Sequence, residues 1–127
     1  MGLRVHVVKV REKYGDSEAF NYGVNDFISL LNMLDVSLNQ MDSEYETRRF
    51  ECVKEDFNNA LDILKEYKES GELKDFDDYD KEDIDKYIIA LSGNEDFNKC
   101  LEYVIECMED FLDECDKNSE WMEFVVW

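Results

Sequence analysis

The segment 75–86 (DFDDYDKEDIDK) is rich in carboxylates and has the residue types of a calcium-binding loop. An EF-hand loop requires oxygen ligands at positions 1, 3 and 5, glycine at position 6 and glutamate at position 12. When the loop is started at Asp75, Tyr79 takes position 5 and Lys86 takes position 12, and the registers that start at later aspartates also fail. We therefore expect an acidic segment that binds no metal.

A catalytic device of the Ser-His-Asp or Cys-His kind would have to use His6, the one histidine of the chain. His6 lies within a predicted strand beside basic residues, with no flanking elbow or glycine-rich turn. Phosphate-binding and dinucleotide-binding motifs do not occur. Carboxylate pairs are so numerous that spacing selects none of them for acid–base work. We therefore predict a protein that is not an enzyme, with no catalytic residue and no cofactor.

The four cysteines, Cys52, Cys100, Cys107 and Cys115, show no C-x-x-C spacing. The last three fall in one predicted helix, too far apart along its axis to form disulfides with one another. With one histidine, the set does not match a usual zinc site. Reduced, buried thiols are the expectation, which is typical of a cytoplasmic protein.

The charge of the chain excludes several function classes. Among 127 residues there are 33 Asp and Glu against 14 Lys and Arg, a formal net charge of -19. Direct binding of nucleic acid needs a basic surface, so we do not expect it. Anionic membrane surfaces would repel the chain, and no apolar run reaches the roughly 20 residues that cross a bilayer.

The acidic residues are unevenly distributed, and the segment 102–116 carries seven of them with no Lys or Arg. On a helix, most of these would lie opposite an apolar stripe, at spacings of three and four. Like charges at such spacings destabilise a helix by a few tenths of a kcal/mol each, and anions near its C-terminus oppose the helix dipole. Residues that destabilise their own helix in this way indicate a functional surface. The alternative is a solvated face that serves only solubility.

Aromatic residues lie within or beside the acidic segments, and interface centres favour such residues while the surrounding charges steer association. Phe76 and Tyr79 lie in the first acidic segment and Tyr103 flanks the second; local packing of these rings is the alternative. The predicted partner-binding residues are Asp75, Phe76, Asp77, Asp78, Tyr79, Glu82, Asp83, Glu102, Tyr103, Glu106, Glu109, Asp110 and Asp113.

Apolar periodicity predicts one compact α+β domain spanning 1–127. We expect a small, mainly antiparallel sheet of three or four strands packed against about four helices. The predicted strands are about 3–10, 17–22, 45–53 and 121–127, and the predicted helices are about 25–35, 55–70, 81–92 and 95–115. Gly71 and the pair Ser92-Gly93 are predicted to end two of the helices.

In size, charge and aromatic content the chain is similar to acidic immunity proteins against nuclease toxins, a resemblance of bulk properties without a shared motif. The resemblance implies an inhibitor that neutralises a basic toxin domain by occluding its nucleic-acid-binding cleft. The second hypothesis is a DNA-mimic inhibitor, from a phage or mobile element, of a DNA-binding or defence protein. The third is a non-catalytic scaffold or accessory subunit.

Overall fold

Within the residues that the structure describes, five antiparallel strands form one sheet in the order β2-β1-β5-β4-β3. The computed structural model of the chain describes residues 4–10, 13–20, 23–41 and 48–126. The strands are β1 (Val5–Val10), β2 (Lys13–Ala19), β3 (Asn39–Met41), β4 (Arg48–Val53) and β5 (Trp121–Val126). The strand latest in sequence therefore lies at the centre, between β1 and β4.

The register of β5 with its two neighbours defines the packed face of the sheet. Phe124 lies opposite Phe50 of β4 and opposite Val7 of β1, and all three are fully buried. Directly opposed residues point to the same side of an antiparallel pair. The rings of Phe50 and Phe124 stack with their centroids 5.0 Å apart. These residues belong to the sheet face that receives the helices.

The described part of the chain also contains four helices: α1 (Val24–Met33), α2 (Lys54–Ser70), α3 (Asp78–Ser92) and α4 (Phe97–Glu114). Three of them each place a phenylalanine within 6 Å of the Phe124 ring: Phe27 of α1 at 5.9 Å, Phe57 of α2 at 5.7 Å and Phe111 of α4 at 5.5 Å. One aromatic side chain of the central strand thus fixes three helices on the same face. α3 packs on α1 and α4.

Glycines end α2 and α3, as the sequence predicted. Gly71 and Gly93 have left-handed backbone angles (φ 75° and 68°), and the amide of each donates to a carbonyl of the last helical turn. Residues with a Cβ adopt this conformation at a cost, so glycine is favoured at both positions.

The structure confirms the predicted α+β class, the single domain, the antiparallel sheet and the four helices. Some boundaries differ. β3 is absent from the predicted strands, yet Asn39–Met41 pairs with β4. β2 begins at Lys13, earlier than the predicted 17, because its pairing with β1 continues to Val10, with register shifts on either side of Val8. Parts of the predicted strands, at 3, 21–22, 45–47 and 127, lie outside the described residues.

α3 begins three residues earlier than predicted. The Asp77 side chain accepts a 2.8 Å hydrogen bond from the Asp80 amide, so Asp77 is the N-cap and Asp78 and Tyr79 lie in the first helical turn. Within the described residues, no helix has the length and apolar character needed to cross a bilayer.

Candidate protein-binding surface

α4 has a buried apolar face and an exposed acidic face, as its periodicity predicted. Its buried residues are Cys100, Leu101, Val104, Ile105, Met108 and Phe111. The five acidic residues predicted for the opposite side are all exposed: Glu102, Glu106, Glu109, Asp110 and Asp113. The fold therefore does not bury these carboxylates, and their environment decides what they can bind.

Two of the five carboxylates face lysines of α2. Lys68 Nζ lies 3.1 Å from Glu102 Oε1, and Lys65 Nζ lies 3.6 Å from Glu109 Oε2. These contacts show that α2 and α4 run in opposite directions, since the later lysine meets the earlier glutamate. Both pairs are about half exposed, and such pairs contribute little to stability. They nevertheless supply positive charge along one edge of the acidic face.

The other three carboxylates form a second line, here called the α4 row: Glu106, Asp110 and Asp113. Spacings of four and three residues place them side by side along the helix. Among the described residues, none of the three has an ion pair or a side-chain hydrogen bond. Within the described part of the fold, no ion pair therefore offsets their mutual repulsion.

Tyr103 lies one turn before the α4 row and is 39% exposed. Its ring makes an edge contact with Phe20, with the centroids 6.1 Å apart. Partial burial and its interaction with the Cys107 thiol raise the pKa of Tyr103 above its usual value, so the phenol stays neutral at physiological pH. The row thus has a fixed, uncharged aromatic neighbour whose outer edge reaches solvent.

Two lysines lie at the C-terminal end of α4, which the sequence suggested to be crowded by anions alone. Lys117 Nζ donates a 2.6 Å hydrogen bond to the Leu112 carbonyl, and Lys54 Nζ donates one of 2.6 Å to the Asp116 carbonyl. Cations at this end interact favourably with the helix dipole. Lys54 begins α2, so only the tertiary fold brings it to this position.

The segment that precedes α3, together with the first six residues of this helix, is the second acidic surface, here called the α3 turn (residues 75–83). Tyr79 is 81% exposed, with carboxylates on both sides of it in sequence. Phe76 is half-buried and packs against the core. Phe76 is therefore a packing residue, whereas Tyr79 remains accessible to a partner.

The structure leaves the two acidic surfaces without direct contact. Among the described residues, no hydrogen bond, ion pair or ring contact joins the α3 turn to the exposed acids of α4. Tyr103, Glu106, Asp110 and Asp113 form one group on α4, with Glu102 and Glu109 bounding it. Asp75, Asp77, Asp78, Tyr79, Glu82 and Asp83 form the other group.

Sequence reasoning missed two exposed apolar side chains. Ile89 is 45% exposed on α3, and Trp121 is 44% exposed at the start of β5. The sequence pattern indicated that Ile89 is exposed, because this residue falls outside the inward stripe formed by Ile84, Ile88 and Leu91. Trp121 lies opposite Val53 in β4, on the sheet side away from Phe124, because side chains alternate along β5.

His6 is 5% exposed in β1 and lies opposite Val125 of β5. Within the described residues, no group of three or more His, Cys, Asp or Glu side chains is arranged to hold a metal ion. An open cavity of 570 Å³ lies between the start of α2 and the end of α4, and its lining does not include His6. It is lined by Val53, Lys54, Glu55, Asn58, Leu112, Lys117, Ser119 and Glu120.

Comparisons of the chain with protein-family models, with curated proteins and with solved structures found no match.

Proposed function

We propose that this chain is a non-catalytic inhibitor of the immunity type, which binds a basic toxin domain, such as that of a nuclease, through its acidic helical surface. The α4 row is the primary contact, with Tyr103 as its aromatic anchor, and the α3 turn with Tyr79 is the secondary contact. The cytoplasm is the proposed location, since all four cysteines are free thiols and three of them are buried.

The observation that carries the proposal is the contrast between the two lines of carboxylates on α4. Glu102 and Glu109 have lysine neighbours, whereas Glu106, Asp110 and Asp113 have none among the described residues. A solvated helix gains stability from interspersed lysines. Three adjacent carboxylates without interspersed lysines destabilise the helix by their repulsion, and a cationic partner would offset this repulsion.

Inhibition would occur by occlusion. A cleft that binds nucleic acid is lined by Lys and Arg, which neutralise phosphates. The carboxylates of the α4 row would take the place of these phosphates. Their attraction for the basic cleft extends over about a Debye length, roughly 8 Å at physiological salt. Tyr103 would then be desolvated at the centre of the contact, where aromatic side chains contribute most.

The dimensions of the α4 row favour this proposal over a DNA mimic. Glu106 and Asp113 are seven residues apart, so the row extends only about 10 Å along the helix axis. Lys65 and Lys68 lie along one edge, and Lys117 lies beyond its end. A duplex presents a longer, uninterrupted array of charges along both strands. A compact patch fits one local site on a basic protein.

The test is capture of a basic protein from the source cells by the immobilised chain. We expect a cationic protein with toxin or nuclease activity to be retained at about 50 mM salt and released at about 500 mM, because screening weakens exposed charge pairs. Addition of the chain should inhibit the captured activity in a one-to-one ratio. Failure to retain any cationic protein at low salt would contradict the proposal.

A matched pair of variants locates the site. The triple substitution Glu106→Lys, Asp110→Lys and Asp113→Lys should slow association at least about 100-fold. The control substitutes Asp62, Glu69 and Glu120, three exposed acids outside both surfaces, by lysine. Both triples change the net charge equally. Equal slowing by the two triples would show that bulk charge, and not the α4 row, determines binding.

A further inference from the structure

The outer side of α3 carries exposed residues in a regular line. Tyr79, Asp83, Lys86 and Ala90 are all exposed and fall at i, i+4, i+7 and i+11, which places them along one face of the helix. Tyr79 is 81% exposed, and Ile89 beside this line is 45% exposed. α3 therefore has apolar side chains on its outer side as well as on the side that packs against α1 and α4.

We infer that this outer face, here called the α3 seam, pairs with the α3 seam of a second copy in an antiparallel, two-fold symmetric dimer. Alternating spacings of four and three are those of a coiled-coil contact. The seam is symmetric about the midpoint between Ile84 and Asp85. In an antiparallel pair, Asp83 therefore faces Lys86 of the second copy, and Tyr79 faces Ala90 of the second copy. Because the dimer has two-fold symmetry, each of these contacts occurs twice.

Charge complementarity indicates that the partner is a second copy and that the two α3 helices run antiparallel. The antiparallel arrangement makes two Asp83–Lys86 contacts between opposite charges, and it also opposes the two helix dipoles favourably. A parallel arrangement would place Asp83 against Asp83 and Lys86 against Lys86. The charged pair at the middle of the seam also fixes the register, as polar pairs do in coiled coils.

The size of the side chains fits the same register. In knobs-into-holes packing, Tyr79 of one copy enters a hole formed by Lys86, Ile89, Ala90 and Gly93 of the other. Ala90 is small, and a Cβ placed on Gly93 would meet no atom within 4 Å. The two small residues leave space for the Tyr79 ring, and the exposed Ile89 side chain supplies an apolar wall.

The dimer is expected to be weak. One helix pair buries less than the roughly 1,200 Å² of a standard interface, and each copy carries a net charge of -19. We expect a dissociation constant of about 10 µM or weaker at physiological salt. Dimerisation would cover Tyr79 and Asp83, so a second copy and the basic protein of the proposed function would compete for the α3 turn, whereas the α4 row would stay accessible. The inference goes beyond the proposed function, and its test needs no other protein.

Sedimentation equilibrium of the full chain tests the dimer, over about 5 to 500 µM at about 0.15 M salt. The average mass should rise with concentration from 15.1 kDa towards twice that value. Tyr79→Ser should lower the association constant at least about tenfold, as loss of an anchor does. Trp121→Ser, which removes an exposed aromatic from the sheet instead, should leave the association constant unchanged.

A charge exchange gives the sharper result. Asp83→Lys and Lys86→Asp should each weaken association about tenfold, and the double variant should restore it because the contact is re-formed with reversed sign. Bulk repulsion predicts otherwise, since Asp83→Lys makes the chain less negative and would strengthen association. Circular dichroism of each variant confirms that these exposed positions leave the fold intact.

Three results would overturn the dimer. The first is a mass of 15.1 kDa at every concentration. The second is association that persists in Tyr79→Ser and Asp83→Lys, because another surface would then be responsible. The third is a double variant, Asp83→Lys with Lys86→Asp, that associates more weakly than either single variant, because the two residues would then not face each other. None of these results bears on the α4 row.

Discussion

The hydroxyl of Tyr67 in α2 donates a 2.7 Å hydrogen bond to Asp85 Oδ1 in α3. Lys81 of α3 lies over the same ring, 5.9 Å from its centroid, and Phe97 of α4 lies at the same centroid distance. Burial and the Asp85 carboxylate raise the pKa of Tyr67, so the hydroxyl remains a donor at physiological pH. Tyr67 thereby links α2 to the helix that presents Tyr79 and Asp83.

Removal of this hydroxyl should loosen α3. We expect Tyr67→Phe to lower the free energy of unfolding by about 1–2 kcal/mol, because the hydrogen bond to a carboxylate is partly buried. Amide exchange of α3 should accelerate by more than that of β5. Tyr79→Phe is the control, since that hydroxyl is at an exposed position and its loss should leave urea unfolding unchanged. Equal effects of the two changes would contradict the linking role of Tyr67.

Neutral substitutions should separate the two lines of carboxylates on α4. Glu106→Gln, Asp110→Asn and Asp113→Asn should each raise the free energy of unfolding by about 0.2–0.5 kcal/mol at low salt, because each removes a like-charge neighbour. Glu102→Gln and Glu109→Gln should lower it or leave it unchanged, since each also removes a lysine contact. Urea titrations at low and high salt measure both sets. A gain from all five substitutions would show that the lysine contacts have no effect.

The stability of the fold should fall at alkaline pH. Burial, then the charges of Asp56 and Glu51, raise the pKa of the Cys52 thiol to about 12 from 9.0. Burial, reinforced by Asp110 and Glu106, raises the pKa of Cys107 to about 11. The folded chain therefore retains protons that the unfolded chain releases. This contribution is complete below about pH 9 and is lost as pH rises to 11–12.

Urea unfolding at intervals from pH 8 to 11 measures this loss. Cys52→Ala should reduce the slope of the free energy of unfolding against pH by the equivalent of about one proton per chain, whatever its effect on stability at pH 8. Cys107→Ser should flatten it by a smaller amount. A free energy of unfolding that stays constant between pH 9 and 11 would contradict the raised thiol pKa values.

The lysine at the end of α4 should stabilise that helix. Lys117→Met removes the hydrogen bond to the Leu112 carbonyl and a cation from the negative end of the dipole. We expect a loss of about 0.5–1 kcal/mol, smaller at high salt. Lys99→Met is the matched control, because Lys99 is exposed near the other end of α4, where a cation is unfavourable. It should be neutral or slightly stabilising in thermal unfolding.

Much of α4 was predictable because its apolar period continues over five turns and leaves one possible buried face. β3 was not, since Asn39–Met41 has no alternating pattern and is held by its pairing with β4. The start of α3 was misplaced because both Asp77 and Asp80 are suitable N-caps. Only the observed hydrogen bond between them identifies Asp77.

For the candidate surface, periodicity predicted which acids of α4 are exposed. It did not predict which are neutralised, because Lys65 and Lys68 reach α4 only through the antiparallel placement of α2. The same holds for Lys54, whose contact with the Asp116 carbonyl spans 62 positions of sequence. The count of charges along the sequence therefore overestimated the acidity of one edge of α4, because it did not include the lysines that α2 places there.

The central position of β5 has a consequence for biosynthesis. Residues 121–126 separate β1 from β4, so the two outer parts of the sheet have no shared hydrogen bonds until this strand has left the ribosome. Pairing β1 with β5 closes a loop of more than 100 residues, which is a slow step in folding. A nascent chain stalled before Trp121 would lack Phe124, the residue on which three helices pack. We therefore expect the complete sheet to form only after β5 has been synthesised.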